Sequence, residues 1–182
     1  MGQPTPSLPV LPLLAAFSRY AEALDWARDQ AEQAWGPVVV ASPRFDFNET
    51  DYYEGEMGPG LQKQFFVWPS STNWPERLAT IKRQTNVWEQ AYATLGRHPE
   101  PRPLNLDPGY LTLAKLVLAS TKDHAHRIYL ADGIYAEVTL HRKHGHWHPW
   151  DWTFPDYRRS DYHDFFSVCR ERLRPRREER HS

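Results

Sequence analysis

The stretch RPLNLDPGYL at residues 102–111 places two oxygen-bearing side chains at alternate positions. In a β-strand, Asn105 and Asp107 would point to the same side, which suits two ligands of one Mg²⁺ ion. An Asp followed by Pro is equally typical of a helix cap and the first helical residue, which explains Asp107 without a metal. The sequence leaves both interpretations open: Asn105 and Asp107 as metal ligands, or Asp107 as the cap of the next helix.

Basic residues are the other candidates for contact with a phosphate group. The segment GEMGPGLQK does not match a phosphate-binding loop, because Gly60 is followed by Leu61 and Gln62 instead of Lys and Ser or Thr. Scattered lysines and arginines remain, and a cationic side chain can neutralise phosphate without such a loop. Those considered are Lys82, Lys115, Lys122 and Arg127.

Residues 127–139 predict a β-hairpin around Asp132-Gly133. We expect a three-residue loop at 131–133, because that register places Arg127 opposite Glu137 and separates polar from apolar side chains. The apolar face, which includes Ile128 and Val138, is then expected to be buried. The polar face is either a ligand-binding surface or an ordinary solvent face with a cross-strand ion pair; it carries Arg127, Tyr129, Tyr135 and Glu137.

Carboxylates cluster in a predicted loop at residues 48–60 and in the strand before it. Such clusters bind hard cations, although a solvated acidic loop explains them as well. The cluster comprises Asp46, Asp51, Glu54 and Glu56.

Four histidines in HRKHGHWHPW have spacings that suit Zn²⁺ or Ni²⁺. No cysteine or carboxylate completes a four-ligand site locally, so we expect adventitious metal binding. The residues are His141, His144, His146 and His148.

Composition narrows the class of protein. A chain of 182 residues with 40% hydrophobic and 25% charged residues is long enough for one globular domain. A net charge of −1 makes nucleic acid or an anionic membrane surface an unlikely main partner. The lone Cys169, the absence of a signal-peptide pattern and the absence of an apolar run of about 20 residues favour a soluble cytoplasmic protein. Oligomeric state cannot be inferred from the sequence.

The periodicity of apolar residues predicts the elements that must position these groups. The order of the first six is βαββαβ, which indicates an α+β, ferredoxin-like (split βαβ) antiparallel sheet core with an added β-hairpin and a C-terminal helix. We expect a disordered Pro-rich N-terminus at 1–7, a single domain at 8–174 and a charged tail at 175–182. Predicted strands are 8–17, 38–47, 62–68 and 102–106; predicted helices are 18–35 (capped by Ser18), 75–95, 111–119 and 160–173 (capped by Ser160).

Six segments in order resemble a known bacterial family, the one catalogued as domain of unknown function 4416. They are FDFNETDYYEGEMG, IKRQTN, NLDPGYL, STKDHAHRIYL, GIYAEVTL and WTFPDY, and the resemblance spans roughly residues 10 to 170. The resemblance implies membership of this family and indicates little about a ligand or a reaction.

Residues 10 to 110 are also similar, in architecture, to hydroxymethyl-dihydropterin pyrophosphokinase. In that enzyme an Arg and two alternating Asp follow the second long helix, and the two Asp hold Mg²⁺ for pyrophosphoryl transfer. Here Arg102, Asn105 and Asp107 stand at the similar positions, with Asn105 departing from the pattern. The Gly-Ser-Asn stretch expected after the first strand is also replaced, by residues 16–19.

These observations predict a protein that binds a nucleotide or phosphorylated metabolite together with Mg²⁺. Asp107, Asn105 and Glu137 would hold the metal, while Lys122 and Arg127 would neutralise phosphate charge. Asp107 is expected to begin a helix with its backbone and to face a polar cleft with its carboxylate. The alternative is a non-catalytic module that binds RNA or a protein partner.

Overall fold

The computed structural model describes residues 2, 3 and 5–174. Within them, the strands are β1 Leu11–Ser18, β2 Val40–Ala41, β3 Phe45–Phe47, β4 Leu61–Val67, β5 Asn105–Leu111, β6 Lys115–Ser120, β7 Ile128–Ala131, β8 Ile134–Lys143 and β9 His146–Pro149. The α-helices are α1 Ala21–Trp35, α2 Glu54–Met57, α3 Trp74–Thr94 and α4 Ser160–Glu171, and a 3₁₀ turn covers Pro155–Arg158. Residues 2, 3 and 5–9 lie outside helices and strands, and the predicted tail at 175–182 lies outside the described residues.

One antiparallel sheet organises the fold, which confirms the α+β class. Its strand order is β2-β4-β1-β5-β6-β8-β7, with β3 also paired to β4 and β9 to β8. The apolar strand β1 is buried along its whole length because one face packs against α1 and the other against α4. No helix of the described chain is both long and apolar enough to span a membrane.

The long helix α3 agrees with the prediction for residues 75–95. Leu78, Ile81, Thr85 and Tyr92 lie on its buried side, as their spacing of three and four residues indicates. The helix packs against β5, β6 and β8.

The predicted short helix at 111–119 is wrong. These residues instead form the end of β5, a tight turn and β6. The Thr112 hydroxyl accepts hydrogen bonds from the N–H groups of Ala114 (3.0 Å) and Lys115 (2.9 Å), which stabilises the turn. Pro108 therefore lies inside a strand, and Asp107 caps no helix.

Local breaks account for the other differences. The predicted strand at 38–47 is split into β2 and β3, with Pro43 between them, and the predicted loop at 48–60 contains the short helix α2. Ser18 and Ser160, the two predicted helix caps, do not cap α1 and α4 by a side-chain hydrogen bond. The Ser18 hydroxyl donates instead to the carbonyl of Pro103 at 2.6 Å, which joins the end of β1 to the start of β5.

The hairpin has the predicted pairing but not the predicted loop. Ile128 pairs with Ala136 and Tyr129 with Tyr135, as expected. Ala131 also pairs with Ile134, so the loop contains only Asp132 and Gly133. A bulge between Tyr129 and Ala131 gives the same register as a three-residue loop would.

The expected burial of Ile128 is also wrong. Its side chain is 71% exposed, and Val138 is only partly buried. The cause is position, because β7 is the last strand of the sheet and α3 covers Ile134 of β8 without reaching β7.

Candidate functional site

The sheet opens between β5 and β6. These strands pair only where Gly109–Leu111 face Leu116–Leu118, and the pairing ends where Pro108 offers no N–H. The next residue with free backbone groups, Leu106, bonds to α3 instead of a strand. Its N–H donates to Glu89 Oε1 (2.7 Å) and its carbonyl accepts from Lys82 Nζ (2.6 Å).

Gly109 allows the strands to come together directly beside this opening. A Cβ atom at position 109 would lie 2.1 Å from the carbonyl oxygen of Val117 and 2.7 Å from the Leu118 side chain. Any other residue would force β6 away, so Gly109 fixes the point at which the two strands diverge.

A cleft with a cavity of about 360 Å³ occupies the opening. This volume falls within the range of small-molecule sites. Six of the eight predicted ligand-binding residues line it, whereas Tyr129 and Tyr135 do not. The six are Arg102, Asn105, Asp107, Lys122, Arg127 and Glu137.

Asn105 and Asp107 share one face of β5, as predicted from their alternation. Asn105 Nδ2 donates to Asp107 Oδ2 at 2.7 Å, while Arg102 donates to Asn105 Oδ1. Lys82 Nζ lies 3.0 Å from Asp107 Oδ1. Burial raises the pKa of Asp107, but Lys82, together with Lys63 and the Asn105 amide, outweighs it and holds the pKa below its usual value.

Glu89 is the acidic partner of the same group on α3. It lies 3.9 Å from Lys82 Nζ and 3.6 Å from Arg102 Nη2. Burial nevertheless raises its pKa above the usual value. Asp107 and Glu89, two of the carboxyl groups that line the cleft, therefore have pKa values shifted in opposite directions.

Arg127 and Glu137 form a buried ion pair on the opposite wall, as the predicted hairpin register implies. Arg127 Nε donates to Glu137 Oε2 at 2.9 Å, and its Nη1 donates to the hydroxyl of Ser120 at 2.7 Å. His126 Nε2 lies 3.0 Å from the same Glu137 oxygen. These bonds fix the guanidinium group at the cleft wall.

Lys63 on β4 and Asp156 in the 3₁₀ turn form a second buried ion pair, which no sequence pattern predicted. The Lys63 ammonium lies 4.3 Å from the ring centroid of Phe47, 4.8 Å from that of Tyr157 and 5.0 Å from that of Phe17. A signal for Lys63 was present, because it shares the buried face of β4 with Leu61 and Phe65. Lys82, which was among the predicted phosphate contacts, lies among the buried residues of α3.

Aromatic side chains form one wall of the cleft. The rings of Phe17 and Tyr53 meet edge to face at 4.9 Å, and those of Phe17 and Phe47 at 5.1 Å. Burial raises the pKa of Tyr53, so its hydroxyl stays protonated at neutral pH.

The acidic segment meets the cleft at its mouth. Glu56 of α2 lies 3.5 Å from Arg102, and its carbonyl accepts from the Arg102 N–H at 3.2 Å. Lys122 Nζ donates to the Tyr52 hydroxyl at 2.7 Å, which links the two sides of the opening. The predicted Asp46 lies elsewhere: its backbone carbonyl accepts a hydrogen bond from Arg159, which also pairs with Glu49, a carboxylate outside the predicted cluster.

The histidine-rich segment forms a stack rather than a metal site. The His141 ring stacks on Trp150 at 4.2 Å, and His148 Nε2 bonds to the carbonyl of Lys143 at 3.1 Å. Across the described residues, no group of three or more His, Cys, Asp or Glu side chains converges in a way that could hold a metal ion.

Comparison with known proteins gives one match, to a family model. No curated protein matches the chain. No solved structure matches it either. The family model covers residues 9–173, which is most of the chain. The protein therefore belongs to the family described as domain of unknown function (DUF4416).

Proposed function

We propose that the cleft between β5 and β6 binds a small phosphorylated ligand, such as a nucleotide. The observation that carries this proposal is the concentration of cationic side chains around one small cavity. Among the described residues, those that line it are Lys63, Lys82, Arg102, Lys122 and Arg127. Four carboxylates line it as well, and they hold most of these cations in fixed positions.

The phosphate group is expected to lie at the end of β6. Lys122 is the most accessible of the five cations, and its partner is the neutral Tyr52 hydroxyl rather than a carboxylate. An anionic ligand can therefore displace this bond without breaking an ion pair. Arg127, oriented by Glu137 and Ser120, adds a fixed guanidinium beside it.

The aromatic wall favours a planar group at the other end of the ligand. Phe17, Phe47 and Tyr53 line the same cavity as the cations. Stacking of a base on an aromatic side chain contributes about 1–3 kcal/mol, which suits a nucleoside phosphate better than free phosphate.

The proposed ligand binds with Mg²⁺ on its phosphate group. Mg²⁺ is commonly bound by one or two carboxylates and by substrate phosphates. Asp107 is the carboxylate best placed for this role because its pKa is lowered, which keeps it ionised. Both of its oxygens already accept bonds, from Lys82 and Asn105, so the ligand must supply most of the coordination.

We infer in addition that residues 11–111 follow the ferredoxin-like, split βαβ plan. The order β2-β4-β1-β5, with α1 after β1 and α3 after β4, supports this inference. The plan accounts for the position of Asp107 next to the central strand, where Ala15 of β1 pairs with it.

Thermal shift measurements with ATP, GTP, AMP and pyrophosphate, each with and without Mg²⁺, test the proposal. A ligand at 100 times its dissociation constant stabilises the folded state by about 2.7 kcal/mol, which raises the melting temperature measurably. Lys122→Met should weaken the shift, whereas Lys115→Met, an exposed lysine outside the cleft, should not. If none of the four compounds raises the melting temperature, the proposal is wrong.

A further inference from the structure

Carboxylates balance nearly all of the positive charge that lines the cleft. Four of the five lining cations lie at ion-pair distance from a lining carboxylate: Lys63 from Asp156, Lys82 from Asp107, Arg127 from Glu137 and Arg102 from Glu89. The fifth cation, Lys122, bonds to the neutral Tyr52 hydroxyl and has no carboxylate partner among residues 2, 3 and 5–174. The described lining therefore has a formal surplus of one positive charge.

This surplus matches one phosphate group. A phosphate monoester carries a charge of about −1.5 to −2 at neutral pH. When it binds, it uses up the surplus and leaves the cleft with a small negative charge. A second phosphate group on the same ligand would add negative charge without finding another unmatched cation.

The end of β6 offers donors for one such group. Ser120 Oγ accepts hydrogen bonds from Arg127 Nη1 at 2.7 Å and from the Lys122 N–H at 3.2 Å. Both bonds use lone pairs of the oxygen, and no acceptor for the hydroxyl proton is found in the described part of the chain. Ser120 lines the cleft beside Lys122 and Arg127, so its O–H group can donate to the same phosphate group that these two side chains contact.

Carboxylates lie on both sides of this position. Within the cleft are Glu137, which bonds to Arg127, and Asp107, whose lowered pKa keeps it ionised. At the mouth, Asp51 and Glu54 are exposed on either side of Tyr52 in the chain. A row of phosphate groups would meet like charge in either direction, and such repulsion favours the shorter ligand.

We propose that the cleft selects a ligand with a single phosphate group, a phosphate monoester of a planar group such as a nucleoside monophosphate, and that the Ser120 hydroxyl donates to that phosphate. This inference rests on the proposed function and narrows its ligand. The selectivity comes from the balance of charge, so Mg²⁺, which offsets the added charge of a polyphosphate, should weaken it.

Isothermal titration calorimetry of the full chain measures the selectivity. The probes are AMP, ADP and ATP, with the corresponding guanosine and uridine series, each in EDTA and again in Mg²⁺. In EDTA, each added phosphate should raise the dissociation constant at least about threefold, the effect of one charge repelling another at roughly 6 Å in water. In Mg²⁺ this difference should shrink.

Thr121→Lys tests whether charge is the cause. Thr121 is an exposed residue of the cleft lining, so the new lysine adds a second unmatched cation. The dissociation constants of the diphosphate and the monophosphate should then come within about twofold of each other. Thr94→Lys is the matched control, because Thr94 is an exposed threonine at the end of α3 and lies outside the cleft. It should leave the ratio unchanged.

Ser120→Ala tests the phosphate contact. It should raise the dissociation constant of the monophosphate about tenfold and leave that of the unphosphorylated nucleoside unchanged. Ser120→Thr keeps the hydroxyl and should retain binding of the monophosphate. The exposed Ser70, outside the cleft, gives the control Ser70→Ala, and thermal melting verifies that each variant is folded.

A diphosphate or triphosphate that binds as tightly as its monophosphate in EDTA overturns this inference and leaves the proposed function standing. A selectivity that is undiminished in Mg²⁺ or in folded Thr121→Lys overturns it as well, because charge would not be the cause. Unchanged binding of the monophosphate by folded Ser120→Ala overturns the contact with Ser120. If no compound binds under any condition, the proposed function and this inference are both wrong.

Discussion

Lys82 Nζ lies 3.0 Å from Asp107 Oδ1 and donates to the carbonyl of Leu106 at 2.6 Å, so one side chain of α3 holds two successive residues of β5. This contact replaces the strand pairing that β5 loses next to Pro108. It also places a cation and a carboxylate together in the cleft without leaving either unpaired.

Replacing Lys82 with Met should destabilise the fold by about 3 kcal/mol, because it leaves Asp107 and the Leu106 carbonyl without their buried donor. Urea denaturation monitored by tryptophan fluorescence measures the loss. The neighbouring Arg83→Met is the control, since its ion pair with Asp132 is exposed and should contribute less than about 1 kcal/mol. Equal effects of the two substitutions would show that the Lys82 contacts are not structural.

The lowered pKa of Asp107 predicts how the stability of the protein depends on pH. A carboxyl group whose pKa is lower in the folded state contributes stability above its unfolded pKa, about 3.9, and that contribution is lost as pH falls through the folded pKa. The difference in unfolding free energy between the wild type and Asp107→Asn should therefore be greatest above about pH 5 and should narrow as the pH falls towards 3.

Denaturation curves at several pH values measure this difference. Asp29→Asn, which removes a negative charge from an exposed position on α1, controls for the general effect of charge. A difference that stays constant between pH 6 and 3 would show that the Asp107 carboxylate does not stabilise the fold through its charge.

Sequence patterns predicted those contacts of the site that depend only on the spacing of residues close together in the chain. The alternation of Asn105 and Asp107 placed both on one face of β5, and the pairing of Tyr129 with Tyr135 implied the contact between Arg127 and Glu137. In each case the relevant period is two residues, and strand geometry alone fixes it.

Other features depend on residues that are distant in sequence. Lys63 and Asp156 are 93 positions apart, so no local pattern links them. The helix predicted at 111–119 failed because Asp107-Pro108 has the same local pattern as a helix start, while pairing of β5 with both β1 and β6 favours a strand. The exposure of Ile128 depends on how much of the sheet α3 covers. The sequence of the hairpin carries no information on that.

Gly109→Ala should destabilise the protein by more than about 2 kcal/mol, because the new methyl group would lie 2.1 Å from the Val117 carbonyl oxygen and would separate β5 from β6. Relative to the wild type, Gly109→Ala should increase the rate of amide hydrogen exchange more in β6 than in β4. Gly55→Ala in α2 is the control, since a Cβ atom there meets no atom within 4 Å and Ala favours a helix. Unchanged exchange in β6 would mean that close approach at Gly109 does not set the opening.

The hairpin loop gives the sharpest distinction between the loop predicted from sequence and the loop observed. In the observed two-residue loop both residues have positive φ, 53° at Asp132 and 74° at Gly133. In a three-residue loop with a bulge, only Gly133 would need a positive φ.

Asp132→Ala and Asp132→Asn both remove the charge that faces Arg83, but only Asn tolerates the left-handed conformation well. We expect Asp132→Ala to cost about 1 kcal/mol more than Asp132→Asn in urea denaturation, because alanine strains the backbone at this position. If the two variants are equally stable, residue 132 does not require a positive φ, and the three-residue loop is correct.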